Sequence, residues 1–448
     1  MSLRFGTDGV RGVANRELTP ELVTALGRAA ARVLGTDQPY VIGRDTRRSG
    51  PMLEAALVAG LCAEGADVLL AGVLPTPAVA TIARQRGAPA AMITASHNPF
   101  PDNGVKLFAP GGRKLTDDVE QAIEDVLHDL AIEVPVGREG HGVGVSAELR
   151  DALDLYVAHV VGVLDGRRLD GLKVVIDCGH GAAFRAAPRV LRDLGVDVEV
   201  RNAAPDGTNI NAGCGSTDPS ELQEAVLATG AHAGLAFDGD ADRLIAVDET
   251  GALVDGDQLI AIAAFDLQER GQLRGDTVVV TTMSNGALHR ALADAGIGVV
   301  EVDVGDRNVL DALAERDLSL GGEQSGHIIY ADLATTGDGI LAGVQMLDVL
   351  HGTGQRLSTL AGIVARSPQV LRAVRVADKS RLDGASAFWR TAQAVQADLG
   401  DAGRILVRPS GTEPVVRVMV EAATEDAAAR AADRLVDAVT TACGPAEA

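Results

Sequence analysis

The chain has 448 residues, more than one hydrophobic core can organise, so we expect three or four domains. Its net charge of −22 argues against nucleic acid and anionic membranes as partners, and no apolar run is long enough to span a bilayer. The four cysteines form no C-x-x-C pair, so we expect free thiols in a cytoplasmic protein.

The first segment with functional potential is a glycine-rich run, FGTDGVRG at residues 5–12. Glycines leave the backbone closely exposed, so Arg11 is well placed there to meet an anion, with an ordinary surface arginine as the alternative. A helix is predicted to start at Thr19-Pro20-Glu21, because threonine caps helices and proline suits their first turn.

One pattern recurs three times along the chain: an apolar strand, a polar loop, a helix closed by glycine, and a second strand. It begins at residues 40–43, 174–176 and 278–280 and ends at residues 68–70, 198–200 and 299–302. Such βαβ units require parallel or mixed sheets, so we predict three related α/β domains at residues 1–150, 151–250 and 251–366. Residues 367–448 lack this regular alternation, and we predict a smaller α+β domain there.

Residues 90–106 combine a buried strand with reactive side chains. The apolar run 90–93 predicts a strand, and Pro99, Pro101 and the Asn103-Gly104 pair are expected to exclude helix and strand from the segment that follows. Ser96 and His97 then offer a nucleophile and an imidazole where α/β sheets gather their ligand sites, at the carboxyl end of a strand. A plain polar turn is the alternative.

Three aspartates, Asp238, Asp240 and Asp242, lie between the strand-like runs 235–237 and 244–247. Alternate residues of an extended segment point to one side, so we expect the three carboxylates to converge. Hard oxygen donors on a tight loop suit Mg²⁺. A calcium EF-hand fails because Arg243 stands where that loop needs glycine, and a solvated acidic turn is the remaining alternative.

The run GGEQSGH at residues 321–327 places polar side chains at alternate positions. Glu323, Ser325 and His327 could therefore face one cavity, where an acid, a hydroxyl and an imidazole would suit sugar hydroxyls or an amine. His327 on its own would more often be structural.

The run RPSGTEP at residues 408–414 joins two predicted strands of the last domain. Its arginine, its two hydroxyls and the free amides around Gly411 would make a phosphate cradle, with Arg417 on the following strand. A plain hairpin loop is an equally good interpretation of this run alone.

Four motifs together, TASHNP, DGDADR, GEQSGH and RPSGTEP, resemble the α-D-phosphohexomutase superfamily in order and over essentially the whole chain. The FGTDGVRG opening and Gln324 are similar to the branch that acts on glucosamine phosphates. The alternative is the phosphomannomutase/phosphoglucomutase branch. A metal phosphatase or a non-catalytic sugar-phosphate sensor would leave part of this motif set unused.

The resemblance implies four domains around a central cleft and a specific set of roles. Ser96 would be carried as phosphoserine, and its oxygen with Asp238, Asp240 and Asp242 would hold Mg²⁺. The enzyme would interconvert glucosamine 6-phosphate and glucosamine 1-phosphate through a 1,6-bisphosphate; its partner is then a small-molecule sugar phosphate, and a homodimer stays open. Two further groups would serve proton transfer and charge stabilisation (Arg11, His97, Lys106, Arg243, His327) and substrate binding (Glu323, Ser325, Arg408, Ser410, Gly411, Thr412, Arg417).

Overall fold

The computed structural model describes residues 5–6, 9–132, 136–400, 403–410 and 415–445. Their strands form four sheets, and each sheet is built from one continuous part of the chain. Three sheets mix parallel and antiparallel strands, whereas the fourth is a small antiparallel sheet. The predicted α/β fold with a smaller α+β part at the end is confirmed, and we name the four parts domains I to IV.

Domain I contains a seven-stranded sheet. Its elements are β1 (Val10–Val13), α1 (Pro20–Leu34), β2 (Tyr40–Arg44), α2 (Gly50–Ala63), β3 (Val68–Val73), α3 (Thr76–Arg86), β4 (Ala90–Ile93), β5 (Asp102–Ala109), β6 (Arg113–Lys114), α4 (Asp117–Ile132) and β7 (Ser146–Glu148). The spatial order is β1-β5-β4-β2-β3-β7, with β6 beside β5. The Thr19 hydroxyl accepts from the Leu22 amide, so α1 starts where its cap predicts.

Domain II contains a five-stranded sheet in the order β12-β11-β10-β8-β9. Its elements are α5 (Ala152–Gly162), β8 (Lys173–Asp177), α6 (Ala183–Asp193), β9 (Asp197–Arg201), α7 (Ser220–Thr229), β10 (Ala233–Phe237), β11 (Leu244–Asp248) and β12 (Leu253–Val254). Strand β12 carries this sheet a few residues beyond the boundary that we predict at residue 250.

Domain III repeats the plan with four strands in the order β14-β13-β15-β16. Its elements are α8 (Gly256–Glu269), β13 (Thr277–Thr281), α9 (Gly286–Asp294), β14 (Gly298–Val302), α10 (Asp306–Glu315), β15 (Leu320–Gly322), β16 (Ile328–Tyr330), α11 (Gly339–Thr353) and α12 (Leu357–Ala361). In each of domains I to III one loop leaves a parallel strand and enters an antiparallel one: β4 to β5, β10 to β11, and β15 to β16. These three loops carry the motifs.

Domain IV consists of a three-stranded sheet in the order β17-β19-β18 and two helices. Its elements are β17 (Gln369–Arg375), α13 (Ser386–Leu399), β18 (Arg404–Pro409), β19 (Val415–Glu421) and α14 (Glu425–Cys443). Its buried apolar side chains form a cluster of their own, separate from the large cluster that joins domains I to III. Domain IV is therefore built around a core of its own.

One local expectation is wrong: residues 102–106 lie in a strand, not in a loop. Asn103 and Gly104 pair with β1 on one side, and β5 continues along β4 on the other. A Cβ on Gly104 would lie 2.6 Å from the Thr94 carbonyl oxygen and 2.7 Å from that of Val10, so only glycine fits between these chains. Pairing on both sides thus outweighs the local turn signal.

Candidate active site

Ser96 follows β4 and lies where domain I contacts domain II. It is almost fully buried, and its φ of +51° is in the left-handed region that non-glycine residues seldom adopt. Its hydroxyl donates to Asp238 Oδ2 at 2.5 Å, which brings the domain I motif against that of domain II. A Cβ on Gly239 would lie 2.4 Å from the Ser96 carbonyl oxygen, so glycine is needed at this contact. The strained serine is held by the loop that carries the aspartates.

The three aspartates converge as expected. Asp238, Asp240 and Asp242 are buried, and each offers an oxygen within 4.8 Å of the others. The segment is a turn with Ala241 at φ +57°, so our expectation of an extended segment is wrong and the turn brings the carboxylates together. Oδ1 of Asp240 and Oδ1 of Asp242 have no hydrogen-bond partner among the described residues. Buried, unpartnered carboxylate oxygens fit a hard divalent cation.

The electrostatics of this cluster fit the same cation. Burial and the neighbouring charges of Asp242 and Asp240 raise the pKa of Asp238 well above its usual value. Burial alone would raise the pKa of Asp242 too, but Lys106, His327 and Arg243 hold it well below its usual range. The cluster therefore stores mutual repulsion that a metal ion would relieve.

Lys106 extends from β5 into the aspartate turn. Its Nζ donates to Asp240 Oδ2 at 2.9 Å and to Asp242 Oδ2 at 3.1 Å, with the side chain almost fully buried. The Thr76 hydroxyl donates to the same Asp240 oxygen at 2.5 Å. A buried cation from domain I thus pairs with two of the three carboxylates of domain II.

His97 lies beside the Ser96 hydroxyl, and its surroundings favour the neutral imidazole. Its Nδ1 lies 3.4 Å from Ser96 Oγ. Burial, with the positive charges of Arg243 and Arg11, lowers the pKa of His97 to about 4. Arg11 lies on β1 opposite Gly104. The two guanidinium groups therefore act on the same imidazole, and both line the serine loop.

The domain III loop turns back against β11 instead of remaining extended. Gly326 has φ +91°, its carbonyl accepts from the Leu244 amide at 3.0 Å, and a Cβ there would lie 2.0 Å from the Leu244 oxygen. Glu323 and Ser325 stay together, with Ser325 Oγ 3.5 Å from Glu323 Oε2. Their proximity comes from this turn, not from strand alternation.

His327 faces the aspartate turn. The Gly337 amide donates to its Nε2 at 3.1 Å, which leaves Nδ1 directed at Asp242 Oδ2, 3.8 Å away. The ring is almost fully buried. His327 thus connects the domain III loop with the aspartates.

The domain IV motif is only partly described: Gly411 and Thr412 lie outside the described residues. Arg408 and Arg417 are directly opposite each other on β18 and β19. Ser410 is buried, and its carbonyl accepts from Lys379 Nζ at 2.5 Å. Burial and Arg417 lower the pKa of Arg408, while Asp303 and Glu323 act in the opposite direction. Arg408 is therefore close enough to Glu323 of the domain III loop to be influenced by its charge.

Comparison with known proteins decides the family. Four models of the phosphoglucomutase/phosphomannomutase family match in order: α/β/α domain I over residues 2–131, domain II over 154–251, domain III over 255–366, and the C-terminal domain over 371–438. The chain belongs to the phosphoglucomutase/phosphomannomutase family. Its members are isomerases that move a phosphoryl group within a sugar phosphate.

Individual relatives agree with this family. The chain is 52% identical over 444 residues to the phosphoglucosamine mutase of Desulforudis audaxviator, covering 98% of both chains. It is 51% identical to that of Mycolicibacterium smegmatis, covering 98% of this chain and 99% of the relative. A phosphoglucomutase/phosphomannomutase family protein from Burkholderia thailandensis has the same fold, with a TM-score of 0.82, 26% identity and 98% coverage of both chains. None of the helices in the described parts combines the length and apolar character that crossing a bilayer requires.

Two residues, Arg47 and Asn211, hold the loop segment, residues 94–102, that carries Ser96. Neither of them was singled out from the sequence. Asn211 Nδ2 donates to the carbonyls of Ser96, at 2.9 Å, and Asn98, at 3.2 Å. Arg47 is buried and paired with Asp45 at 2.8 Å. Its guanidinium donates to four carbonyls of the loop: Ser96 (2.8 Å), Asn98 (2.8 Å), Pro99 (2.5 Å) and Asp102 (3.1 Å). The charged run 44–48, which begins at the last residue of β2, was a signal for Arg47, whereas no local signal marked Asn211.

Proposed function

We propose that this enzyme is a phosphoglucosamine mutase, interconverting glucosamine 6-phosphate and glucosamine 1-phosphate with Ser96 as the phosphoryl carrier. The observation that carries the proposal is the 2.5 Å contact between Ser96 Oγ and Asp238, inside a buried set of carboxylates and cations. The names of the relatives at 51–52% identity support the amino sugar as substrate.

The proposed reaction has two half-reactions. In the first, O1 of glucosamine 6-phosphate attacks the phosphoryl group on Ser96; the bond from phosphorus to Oγ breaks, and a 1,6-bisphosphate forms. In the second, Oγ attacks the 6-phosphoryl group, the bond from phosphorus to O6 breaks, and glucosamine 1-phosphate leaves. In each half-reaction the attacking hydroxyl loses its proton and the departing oxygen gains one.

The residues around Ser96 supply positioning and charge balance, which phosphoryl transfer mainly requires. Lys106 and Arg243 would neutralise the equatorial oxygens of the phosphoryl group. His97 is neutral at physiological pH and can accept a hydrogen bond from Ser96 Oγ. His327, Arg11 and the loop bonds of Arg47 would keep the reacting oxygens aligned.

Asp238, Asp240 and Asp242 would hold Mg²⁺ beside the Ser96 oxygen. The unpartnered Oδ1 atoms of Asp240 and Asp242 support this assignment. Bound Mg²⁺ would add positive charge next to the transferring group. The hard oxygen donors and the absence of nitrogen or sulfur ligands in the cluster favour Mg²⁺ over softer metals.

The opposite side of the cleft would hold the rest of the substrate. Glu323 carries the charge to pair with the ammonium group of glucosamine, and Ser325 beside it would bond a hydroxyl. The phosphate that is not reacting would occupy the domain IV cradle. Its ligands would be Arg408, Ser410, Gly411, Thr412 and Arg417.

The alternative substrate is glucose or mannose phosphate, which the family also includes. Purified enzyme should show much higher kcat/KM for glucosamine 6-phosphate than for glucose 6-phosphate, because unpaired polar groups in a site penalise an analogue that lacks their partner. Equal values for the two sugars would overturn the amino-sugar assignment. We also propose a cytoplasmic location, which suits the four free cysteines. The homodimer stays a prediction that molar mass from light scattering would test.

A further inference from the structure

The start of α8 touches the domain III loop directly. The Gly256 amide donates to the Gln324 carbonyl at 3.1 Å, and a Cβ on Gly256 would lie 2.1 Å from the Glu323 carbonyl oxygen. Asp257 Oδ2 accepts from Gln324 Nε2 at 3.1 Å. Gln324 lies between Glu323 and Ser325 in the chain. A displacement of these two residues would therefore also displace Gln324, which is hydrogen-bonded to Gly256 and Asp257 of α8.

The same carboxylate oxygen also holds the start of α9. Asp257 Oδ2 accepts from the Asn285 amide at 2.8 Å. The Asn285 side chain then makes two hydrogen bonds with the main chain of Ser367: Nδ2 donates to its carbonyl at 3.0 Å, and Oδ1 accepts from its amide at 3.1 Å. Two residues, Asp257 and Asn285, thus connect Gln324 with Ser367, which lies two residues before β17.

Ser367 lies in the peptide segment that links domain III to domain IV, between α12 and β17. The contacts around this link are polar: Arg366 pairs with Asp255 at 3.2 Å, and the Gly286 amide donates to Glu421 Oε2 at 3.0 Å. Domain IV has its own buried apolar cluster, separate from the one that joins domains I to III. A small change in the hold on Ser367 can therefore change the angle of domain IV.

Burial of the Asp257 carboxylate costs folding free energy. Asp257 is fully buried, and its Oδ1 has no hydrogen-bond partner among the described residues. Burial and the charge of Asp255 raise the pKa of Asp257 to about 7. The cap of α8 does not need this carboxylate, because Asp255 already accepts from the Gln258 amide at 3.3 Å. The contacts that the Asp257 carboxylate does make lead outside α8, to Gln324 and to the Asn285 amide.

We propose that Asp257 is a positioning residue that couples the domain III loop, residues 323–327, to the linker of domain IV. Engagement of the sugar by Glu323 and Ser325 shifts Gln324, the shared Asp257 oxygen transmits the shift to Asn285, and the grip on Ser367 tightens. Domain IV then closes with its cradle on the distal phosphate. This coupling rests on the proposed function, because it requires a sugar phosphate in the cleft.

Hydrogen exchange of the linker tests the coupling. In the wild type, glucosamine 6-phosphate should slow exchange of the amides around Ser367 by about tenfold, within the range of allosteric couplings. Asp257→Asn and Asn285→Ala should both lose most of this ligand-dependent protection and raise KM by about tenfold. The double variant should resemble either single variant, because both substitutions interrupt one path.

The matched control is Arg290→Ala, which removes the 3.0 Å contact of Arg290 Nη2 with Ser367 Oγ and leaves the path through Asp257 intact. It should keep the ligand-dependent protection and the KM of the wild type. Ligand-dependent protection and KM that are unchanged in folded Asp257→Asn and Asn285→Ala would overturn the coupling but leave the mutase assignment standing. A wild type that does not turn over glucosamine 6-phosphate would overturn both.

Discussion

Arg408 and Arg417 lie directly opposite each other on antiparallel strands β18 and β19. Like charges at facing positions destabilise a sheet unless an anion compensates them. Arg408 is half-buried, and its Nε has no hydrogen-bond partner among the described residues. The unpartnered Nε of Arg408 is what an anionic ligand would need, and the proposed function supplies such a ligand as the distal phosphate.

We predict that Arg408→Ala raises KM and lowers kcat, because the distal contact both binds the substrate and aligns the reacting oxygen. Loss of a charge-assisted phosphate contact should cost about 2–3 kcal/mol in kcat/KM. Arg430→Ala, on the exposed side of α14, changes the charge equally and should leave kinetics unchanged. If Arg408→Ala matched this control, the cradle would be an ordinary hairpin.

Small-angle scattering checks the structural side of the same prediction. Glucosamine 6-phosphate should compact the wild type, because the cradle closes on its phosphate, and should compact Arg408→Ala less. If both proteins compacted equally, closure of domain IV would not depend on Arg408.

Arg47→Lys should lower kcat by about 100-fold, because lysine keeps the charge but cannot hold four carbonyls at once, and small displacements of a nucleophile have large effects. The rate at which a hexose 1,6-bisphosphate phosphorylates Ser96 should fall with it. Arg48→Lys is the matched control, since Arg48 is exposed and only its backbone amide bonds across the interface, to the Gly207 carbonyl. Normal rates in Arg47→Lys would remove Arg47 from the positioning of the loop.

Asp240→Asn should weaken Mg²⁺ binding, measured by calorimetry, by more than the about 10- to 100-fold that loss of an outer-shell partner costs. EDTA should stop turnover by the wild type, and Mg²⁺ should restore it. Asp197→Asn, an exposed acid of the same domain, should bind metal normally. Full turnover after exhaustive chelation would refute a catalytic metal.

Asp338 should make stability depend on pH. It caps α11, accepts from the Tyr156 hydroxyl at 2.9 Å, and burial raises its pKa from 3.8 to about 6. The folded protein then holds more protons than the unfolded chain between about pH 4 and 6, so this contribution to stability is lost as the pH rises through that window. Asp338→Asn should remove this dependence and stabilise the protein at neutral pH by an amount on the order of 2 kcal/mol. The measurement is the denaturation midpoint of the wild type and of Asp338→Asn as a function of pH. If both midpoints changed with pH by the same amount, Asp338 would not be the source of the dependence.

Local signals predicted the strands that frame the site. Apolar runs next to glycine-rich turns placed Ala233–Phe237 and Leu244–Asp248 on either side of the aspartates, and Ala90–Ile93 before Ser96. A short apolar run predicts a buried strand from neighbouring residues alone, so no long-range contact has to be known. The convergence of the aspartates was predicted as well, although a turn at Ala241 produces it.

Long-range contacts could not be predicted in this way. Lys106 reaches the aspartates only because β5 pairs on both sides, against the local turn signal of Asn103-Gly104. Arg47 and Asn211 act on the Ser96 carbonyl from 49 and 115 residues away. Main-chain carbonyls carry no residue-specific pattern, so nothing in the sequence marks them as partners.

The role of Ser96 as phosphoryl carrier is tested by following a labelled phosphoryl group. Enzyme whose Ser96 has been phosphorylated with a ³²P-labelled hexose 1,6-bisphosphate is freed of ligand, mixed with unlabelled glucosamine 6-phosphate, quenched at intervals and digested. If Ser96 is the carrier, the label leaves the Ser96 peptide within the first turnover and appears in glucosamine 1-phosphate, while the peptide itself stays phosphorylated with the group taken from O6. Label that stays on the Ser96 peptide while glucosamine 1-phosphate accumulates, or a Ser96 peptide that never takes up label in an active enzyme, would show that Ser96 is not the carrier.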